Sequence, residues 1–356
     1  MLKKILFSTI IVAIIMNCEK DPTAVDQETK IKLNGAFILN EGGFGHNNGS
    51  LSFYSAEDNQ VQNGIFNQIN GRNLGDVVQS MTIIDTLGFI VVNNSNKIEV
   101  ISINSWKSVR TIDMPAGSSP RYLADGGNGK AYVTNLYTNN VSVIDLSTYE
   151  IETSINVGAN PEGITILDDK AYVAISGFGY GNTISVIDLL SNQVAYTIRV
   201  GDNPGSIKID ENEILHILCT GRWGDWNNPD DPGTNGGVYS LDPSSALVTD
   251  SLIFTGHPSK LCLDGDEKGF FINGLNVVCF STNSYEIVSD TLITKNYNDG
   301  LYGLDIDPVT AQLFVMEAKD YTQNGSLSIY DLEGTLLYSY NVGIIPSKAV
   351  FVYERD

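Results

Sequence analysis

Apolar and polar positions alternate along nearly the whole chain in short runs. From residue 35 onward, stretches of five to seven apolar or alternating residues recur, each bounded by Gly, Asn, Asp or Pro. That is the pattern of β-strands. Residues 131–158 read AYVTNLYTNNVSVIDLSTYEIETSINVG, and residues 171–201 read AYVAISGFGYGNTISVIDLLSNQVAYTIRVG. Each is followed by a Pro-containing turn and a further apolar run, Pro161 to Leu167 and Pro204 to Ile209. The repeating unit therefore has four strands: A (PEGITIL), B (KAYVAIS), C (TISVIDL) and D (VAYTIRV). No helical pattern of useful length follows the N-terminal segment.

The end of strand C recurs at Ser55, Ser102, Asp145, Asp188, Asp242, Ser281 and Asp331, at intervals of 39 to 54 residues. Seven four-stranded units of this length are the signature of propeller blades. The first unit opens with a B-like strand, Gly35 to Asn40, then C (Leu51 to Tyr54) and D (Val61 to Phe66), with no A before it. The chain ends in an A-like run, Pro346 to Tyr353, with no unit after it. The two ends predict one shared blade, which closes the ring and removes the open edge of a sheet stack. A length of 356 residues suggests two domains at first sight. The repeat instead predicts an all-β fold, a single seven-bladed β-propeller over residues 35–356, with A at the axis and D outside.

The first 17 residues read as a signal. Lys3 and Lys4 precede an apolar run, Ile5 to Met16, too short to span a bilayer comfortably. Ile15-Met16-Asn17-Cys18 resembles a bacterial lipobox, with Asn17 replacing the usual small residue. Residues 1–17 are then a lipoprotein signal peptide, Cys18 carries the lipid, and residues 18–34 form a tether. Glu19-Lys20-Asp21-Pro22 resembles the charged signals that send lipoproteins of Bacteroidetes-type bacteria to the outer surface. The expected location is the outer membrane, lipid-anchored and surface-exposed, with the membrane engaged only through that lipid. The remaining cysteines, Cys219, Cys262 and Cys279, lie in apolar strand-like runs and read as buried thiols. No Cys-x-x-Cys occurs, which excludes a zinc ribbon and c-type haem.

Charge narrows the partners. The chain has 21 basic and 42 acidic side chains, a net charge of −21. Nucleic-acid binding is excluded on that balance, because phosphate contacts require clustered Lys and Arg.

Antiparallel blades put the B–C loops and D–A connections on one face, and the A–B and C–D turns on the other. The A–B turns are short and polar. The B–C loops are longer and carry Phe44, His46, Tyr137, Phe178, Tyr180, Trp223, Trp226 and Tyr321. The D–A connections add Arg72, Arg121, Lys260, Tyr302 and Lys348. Exposed aromatics in Gly-rich loops, with basic groups near the axis, are the makings of a small-ligand surface. A 17-residue loop, Gly221 to Gly237, is more often functional than structural.

Catalytic arrangements are thin. Three histidines occur: His46, His216 in an apolar B strand, and His257 in a turn. No Gly-x-Ser-x-Gly elbow or His-Glu-x-x-His helix is present. Asp225, Asp230 and Asp231 do not have EF-hand spacing. The expectation is a non-enzymatic protein with no cofactor and no metal.

Two resemblances follow from particular residues. Tyr132-Val-Thr-Asn135 is similar to YVTN-type bacterial propeller repeats. Ile38 to Phe44, Asn48 to Tyr54, Leu74 to Met81, Val92 to Ile98 and Ser119 to Tyr122 resemble a Bacteroidetes family of surface lipoprotein propellers. Many of that family are linked to TonB-dependent outer-membrane receptors, and its best-understood members capture cobalamin. The resemblance implies capture of a small nutrient, a corrinoid for example, and its transfer to such a receptor. Carbohydrate binding or adhesion is the alternative; a lactonase- or quinoprotein-like enzyme comes third.

Overall fold

The computed structural model describes residues 34–353 apart from Trp226. Seven four-stranded antiparallel sheets stand around an axis. Blade 2 runs outward from Val78–Ile84 through Leu87–Val92 and Lys97–Ser102 to Ser108–Asp113. Blades 3 to 7 repeat that order, starting at Pro120–Asp125, Pro161–Leu167, Pro204–Ile209, Ser259–Leu263 and Leu301–Ile306. Each A strand touches the next, and Pro346–Tyr353 touches Val78–Ile84, so the ring is closed.

Closure is made by hydrogen bonds between the two ends of the chain. Pro346–Tyr353 pairs antiparallel with Asn34–Asn40, from Asn34 opposite Tyr353 to Asn40 opposite Pro346. This fills the innermost position of blade 1 and joins the two ends of the chain in one blade.

The B and C strands are nearly continuous apolar runs because both of their faces are covered. Successive side chains on a strand point to opposite sides. In blade 3, Ala131 and Val133 pack with Phe89 and Val91 of blade 2, while Tyr132 packs with Ala171 and Val173 of blade 4. In blade 4, Ala171, Val173 and Ile175 face blade 3, while Tyr172 and Ala174 face blade 5. Each fully buried Val or Ile contributes about 1.5–3 kcal/mol, so the ring is held together mainly by the walls between blades. Strand D has one covered side, and it alternates accordingly (Gln193–Arg199, for example).

Six of the seven expected strand-C ends coincide with the observed ends; the last strand stops at Tyr330, one residue before Asp331. Strand D of blade 1 is shorter than the sequence suggests, Gln60–Gln62 rather than Val61 to Phe66. A short helix, Ile65–Asn70, follows it, flanked by Gly64 and Gly71 at φ +65° and +66°. Those left-handed positions suit glycine. Ile65 and Phe66 are buried against Phe37, Phe53 and Trp106, so the helix fills the wedge between blades 1 and 2 beyond the shortened strand.

His216 is a core residue. Its Nδ1 meets the Tyr285 hydroxyl at 2.6 Å and its Nε2 meets Asp210 Oδ2 at 3.1 Å, fastening blade 5 to blade 6. Cys219, Cys262 and Cys279 are buried free thiols, and burial pushes all three above the ordinary thiol range, away from reactive thiolate.

Candidate functional site

A recurring irregularity shapes the face of the B–C loops. In every blade the register between strands A and B slips near this end. The slips fall between Val78 and Ser80, Pro120 and Leu123, Pro161 and Ile164, Pro204 and Ser206, Ser259 and Cys262, and Leu301 and Gly303. In blade 1 the slip lies opposite Leu39 and Asn40. A bulge bends its strand and re-aims a side chain. Gln79, Arg121, Lys260 and Tyr302 all lie at these slips, and all line the mouth of the ring. Lys260 sits at φ +58°, a costly conformation for a residue with a long side chain.

The mouth is a depression of about 310 Å³, walled also by Glu41, Phe44 and Tyr137. Arg121 Nε donates to Glu162 Oε2 at 2.7 Å, and its Nη1 donates to Gln79 Oε1. Burial works against the Arg121 charge, but Glu162, Tyr122 and Glu41 more than restore it, so the guanidinium is firmly cationic. The Tyr302 hydroxyl donates to Glu41 Oε2 at 3.0 Å. Burial, then the Glu41 charge, push Tyr302 far above the usual phenol range, which fixes it as a neutral donor. The Lys260 ammonium lies 5.2 Å from the Tyr302 ring centre, within cation–π reach. Every fixed charge here has a neighbour of opposite sign or a ring, so the mouth presents preorganised donors and acceptors.

Aromatic side chains crown this mouth. Eight described aromatics are exposed, and seven lie in B–C loops or D–A connections: Phe44, Tyr137, Phe178, Tyr180, Trp223, Tyr297 and Tyr321. The eighth, Tyr338, is on the outer strand Leu336–Ile344. Tyr137 and Phe178 meet across blades 3 and 4 at 6.0 Å between ring centres. The Trp223 indole stacks on His257 at 3.5 Å yet is 60% exposed. These contacts brace the rim without hiding it.

The two arms of the long loop are joined by a bridge between Trp223 and Gly233 and by an ion pair. Both terminal nitrogens of Arg222 bind Asp231, at 2.5 and 2.7 Å, and the same guanidinium lies 5.7 Å from the Tyr180 ring centre. Asp231 is thereby engaged by a cation. Among the described residues no group of three His, Cys, Asp or Glu could hold a metal ion.

A second recess lies between blades 6 and 7. It has a volume of about 770 Å³ and is bordered by Leu275, Tyr297, Lys319 and Tyr321. Tyr321 connects it to the mouth through an edge contact with Tyr302 at 5.7 Å. Tyr297, 85% exposed, was not among the sequence candidates. Its signal was available: Lys295 to Gly300 is a polar D–A connection with a single tyrosine. Arg222 was missed as well, because its role depends on a partner nine residues away.

Two expected members of the axial set are placed elsewhere. Arg72 is not at the mouth. Its Nη2 reaches Glu99 Oε1 at 2.6 Å and Ser108 Oγ at 3.0 Å, and its guanidinium lies 5.0 Å from the Phe66 ring centre, among the outer strands of blades 1 and 2. The helix Ile65–Asn70 draws it there. Lys348 lies below the mouth, in the axial channel, 3.4 Å from Asp305. His46 is exposed in the Phe44 loop. Trp226 and Cys18, with the signal segment and most of the tether, lie outside the described residues. No helix among the described residues is long and apolar enough to cross a membrane.

Comparison with known proteins supports the fold and leaves the chemistry open. No curated protein matches the sequence. A quinonprotein alcohol dehydrogenase-like protein from Bacteroides thetaiotaomicron superposes with a TM-score of 0.67 at 12% identity, over 89% of this chain and 78% of that one. Kuenenia stuttgartiensis hydrazine synthase gives 0.59 at 21% identity, over 74% and 81%. Apo AztD from Citrobacter koseri gives 0.58 at 10% identity, over 89% and 97%. Neighbours named for such different roles share the propeller scaffold, and at these identities the likeness extends to the fold alone. Residues 34–214, just over half of the chain, match a family model, and the protein thus belongs to the family described as "Domain of unknown function (DUF5074)".

Proposed function

We propose that this protein is a non-enzymatic binding protein that captures a small organic ligand on the face formed by the B–C loops. The observation that carries this reading is the asymmetry of the exposed aromatics: seven of eight crown one face, around a mouth whose polar groups are already oriented. Rigid rings above fixed donors and acceptors favour a ligand with a flat or ring-shaped apolar part and a polar edge. The scarcity of histidine and the pairing of Arg121, Glu41 and Tyr302 into static contacts argue against proton transfer chemistry.

A corrinoid is the first ligand to test, and lipid anchoring through Cys18, with transfer to a TonB-dependent outer-membrane receptor, completes the proposal. A mouth of about 310 Å³ is at the small end for ligand pockets. A corrinoid would therefore lie across the rim on Tyr137, Phe178, Tyr180 and Trp223 rather than enter the ring. Calorimetric titration of the chain with cyanocobalamin should show saturable heat, and Trp223→Ala should weaken binding by about 2 kcal/mol if the indole is an anchor. No heat at micromolar protein would remove the corrinoid from consideration.

The recess beside Tyr297 and Tyr321 favours a second reading. Two exposed tyrosines bordering an open groove could stack on sugar rings. Binding on a soluble glycan array that is lost in Tyr297→Ala and Tyr321→Ala would support carbohydrate recognition instead.

A further inference from the structure

Beneath the mouth the axial channel holds a small cavity of about 180 Å³. Gln79, Tyr122 and Lys260 line both this cavity and the mouth above it. On a chain of net charge −21, the walls of this cavity carry Lys208, Lys260 and Lys348 against a single acid, Asp305. Asp305 is already committed. One oxygen lies 3.4 Å from the Lys348 ammonium and the other accepts the Ala349 N–H at 2.8 Å. Among the described residues Lys208 forms no ion pair. The hydroxyl of Ser347, a residue only 2% exposed, has no hydrogen-bond partner among the described residues, and Ser347 lines the same cavity.

We infer that this channel binds an oxyanion, a phosphate or carboxylate group, held between the ammonium groups of Lys208 and Lys348 with the Ser347 hydroxyl as a further donor. Leaving charged and polar groups unpaired away from bulk water is costly. An oxyanion supplies the counter-charge that Lys208 lacks and the acceptor that Ser347 lacks, and shares Lys348 with Asp305, in short charge-assisted bonds. The size agrees. A water occupies about 30 Å³ of liquid, so the cavity admits one oxyanion with a few waters and excludes a whole organic ligand of ordinary size. The electrostatics agree as well: the Lys348 charge, then burial, hold Lys208 below the usual lysine range, a repulsion that an anion between them would relieve.

The group could be a free inorganic anion or the acidic end of a ligand seated in the mouth. The site does not depend on what crowns the rim, so it stands or falls separately from the aromatic ligand proposed above.

The test uses the full-length chain in detergent, titrated with inorganic phosphate and, separately, with succinate, at constant ionic strength set with potassium chloride. Thermal unfolding and calorimetry are the readouts. A saturable rise in Tm with phosphate alone assigns a free anion. A rise with succinate, alone or as well, assigns a carboxylate such as an organic ligand carries. Lys208→Met should weaken the response about tenfold or more, and Lys208→Arg should retain most of it. In potassium chloride alone Lys208→Met should be at least as stable as the parent, since it removes a repulsion; that separates loss of the site from loss of folding. Trp223→Ala on the rim should leave the response unchanged. No response to either anion beyond that of chloride, or an undiminished response in Lys208→Met, overturns the assignment.

Discussion

On the face of the A–B and C–D turns, most carboxylates serve the turn they belong to. The carboxylate of Asp145 accepts the backbone N–H groups of Ser147 and Thr148, that of Asp188 accepts Ser191, and that of Asp242 accepts Ser244. Asp264 does the same in the A–B turn of blade 6, and Asp210 does so in blade 5 while its other oxygen meets His216, the residue that links blade 5 to Tyr285 of blade 6. On the opposite face the partners come from other blades. Arg121 of blade 3 binds Glu162 of blade 4, Tyr302 of blade 7 binds Glu41 of blade 1, and Asn93 of blade 2 donates to the Pro120 carbonyl of blade 3 at 2.8 Å. The same repeating unit therefore ends in turns whose carboxylates are mostly self-contained on one side, crossed by a few tyrosine contacts such as Tyr132 to Asn192, and in a network around the ring on the other. A self-contained turn can change without disturbing its neighbours. A networked face holds its groups in fixed relative positions, which is the preorganisation a binding surface needs.

The largest effect should come from the network. Glu99 is fully buried, with Arg72 and Lys97 on its two oxygens at 2.6 and 3.2 Å. Burial pushes its carboxyl up, yet hydrogen bonds from Arg72 and Ser108 and the charge of Lys97 outweigh burial and leave it below the ordinary range. Breaking a buried ion pair typically costs about 3–5 kcal/mol. The Arg72 side chain is 41% exposed and can turn to water, so Glu99→Ala should cost less, about 2 kcal/mol by urea unfolding. The sign with pH is fixed by the lowered pKa. The stabilisation is present above the unfolded carboxylate value and is lost as pH falls through the folded value. A variant as stable as the parent at pH 7 would show that Arg72 and Lys97 are served equally well by solvent.

A smaller effect is expected at the mouth. Tyr302→Phe removes one hydrogen bond to Glu41 and keeps the ring that faces Lys260 and Tyr321. The stability loss should be about 1 kcal/mol. Any ligand that uses the mouth should bind more weakly to this variant, because Glu41 is then free to move. If ligand affinity is unchanged while the rim variant Trp223→Ala loses it, binding belongs to the rim and not to the mouth.

The ring itself could be read from the sequence because each blade announces its core by apolar runs at B and C, and its turns by Asp, Asn and Gly. The self-contained face was equally legible, since an Asp and the backbone it serves are two or three residues apart. The networked face was only half legible. Phe44, Tyr137, Phe178, Tyr180, Trp223 and Tyr321 could be assigned to a face by strand direction alone. What they meet could not, because Arg121 and Glu162 are 41 residues apart and Tyr302 and Glu41 are 261 apart. Arg72 shows the limit most clearly. Its position in a D–A connection suggested the axis, but the intervening helix shifted it to the outer strands, where Glu99 awaits it. The axial lysines are a similar case: Lys208 lies in an ordinary strand-A pattern, and only the closed ring brings it opposite Lys348 and Asp305.

The smallest effect tests the self-contained face. Asp188 Oδ1 accepts the Ser191 N–H at 2.7 Å and its hydroxyl at 2.8 Å. Those two bonds hold the carboxyl below its ordinary range. Asn has the same shape and keeps an acceptor oxygen, so Asp188→Asn should preserve the turn and lose only what the negative charge adds. That addition exists above the unfolded carboxylate value and disappears as pH falls through the lowered folded value. The Tm of Asp188→Asn should therefore lie slightly below that of the parent at neutral pH, and the gap should close in acid. Ligand affinity and the phosphate response should match the parent throughout, because no other blade depends on this carboxylate. If Asp188→Asn instead alters binding on the far face, the two faces are coupled through the blade, and the division between a supporting face and a working face fails.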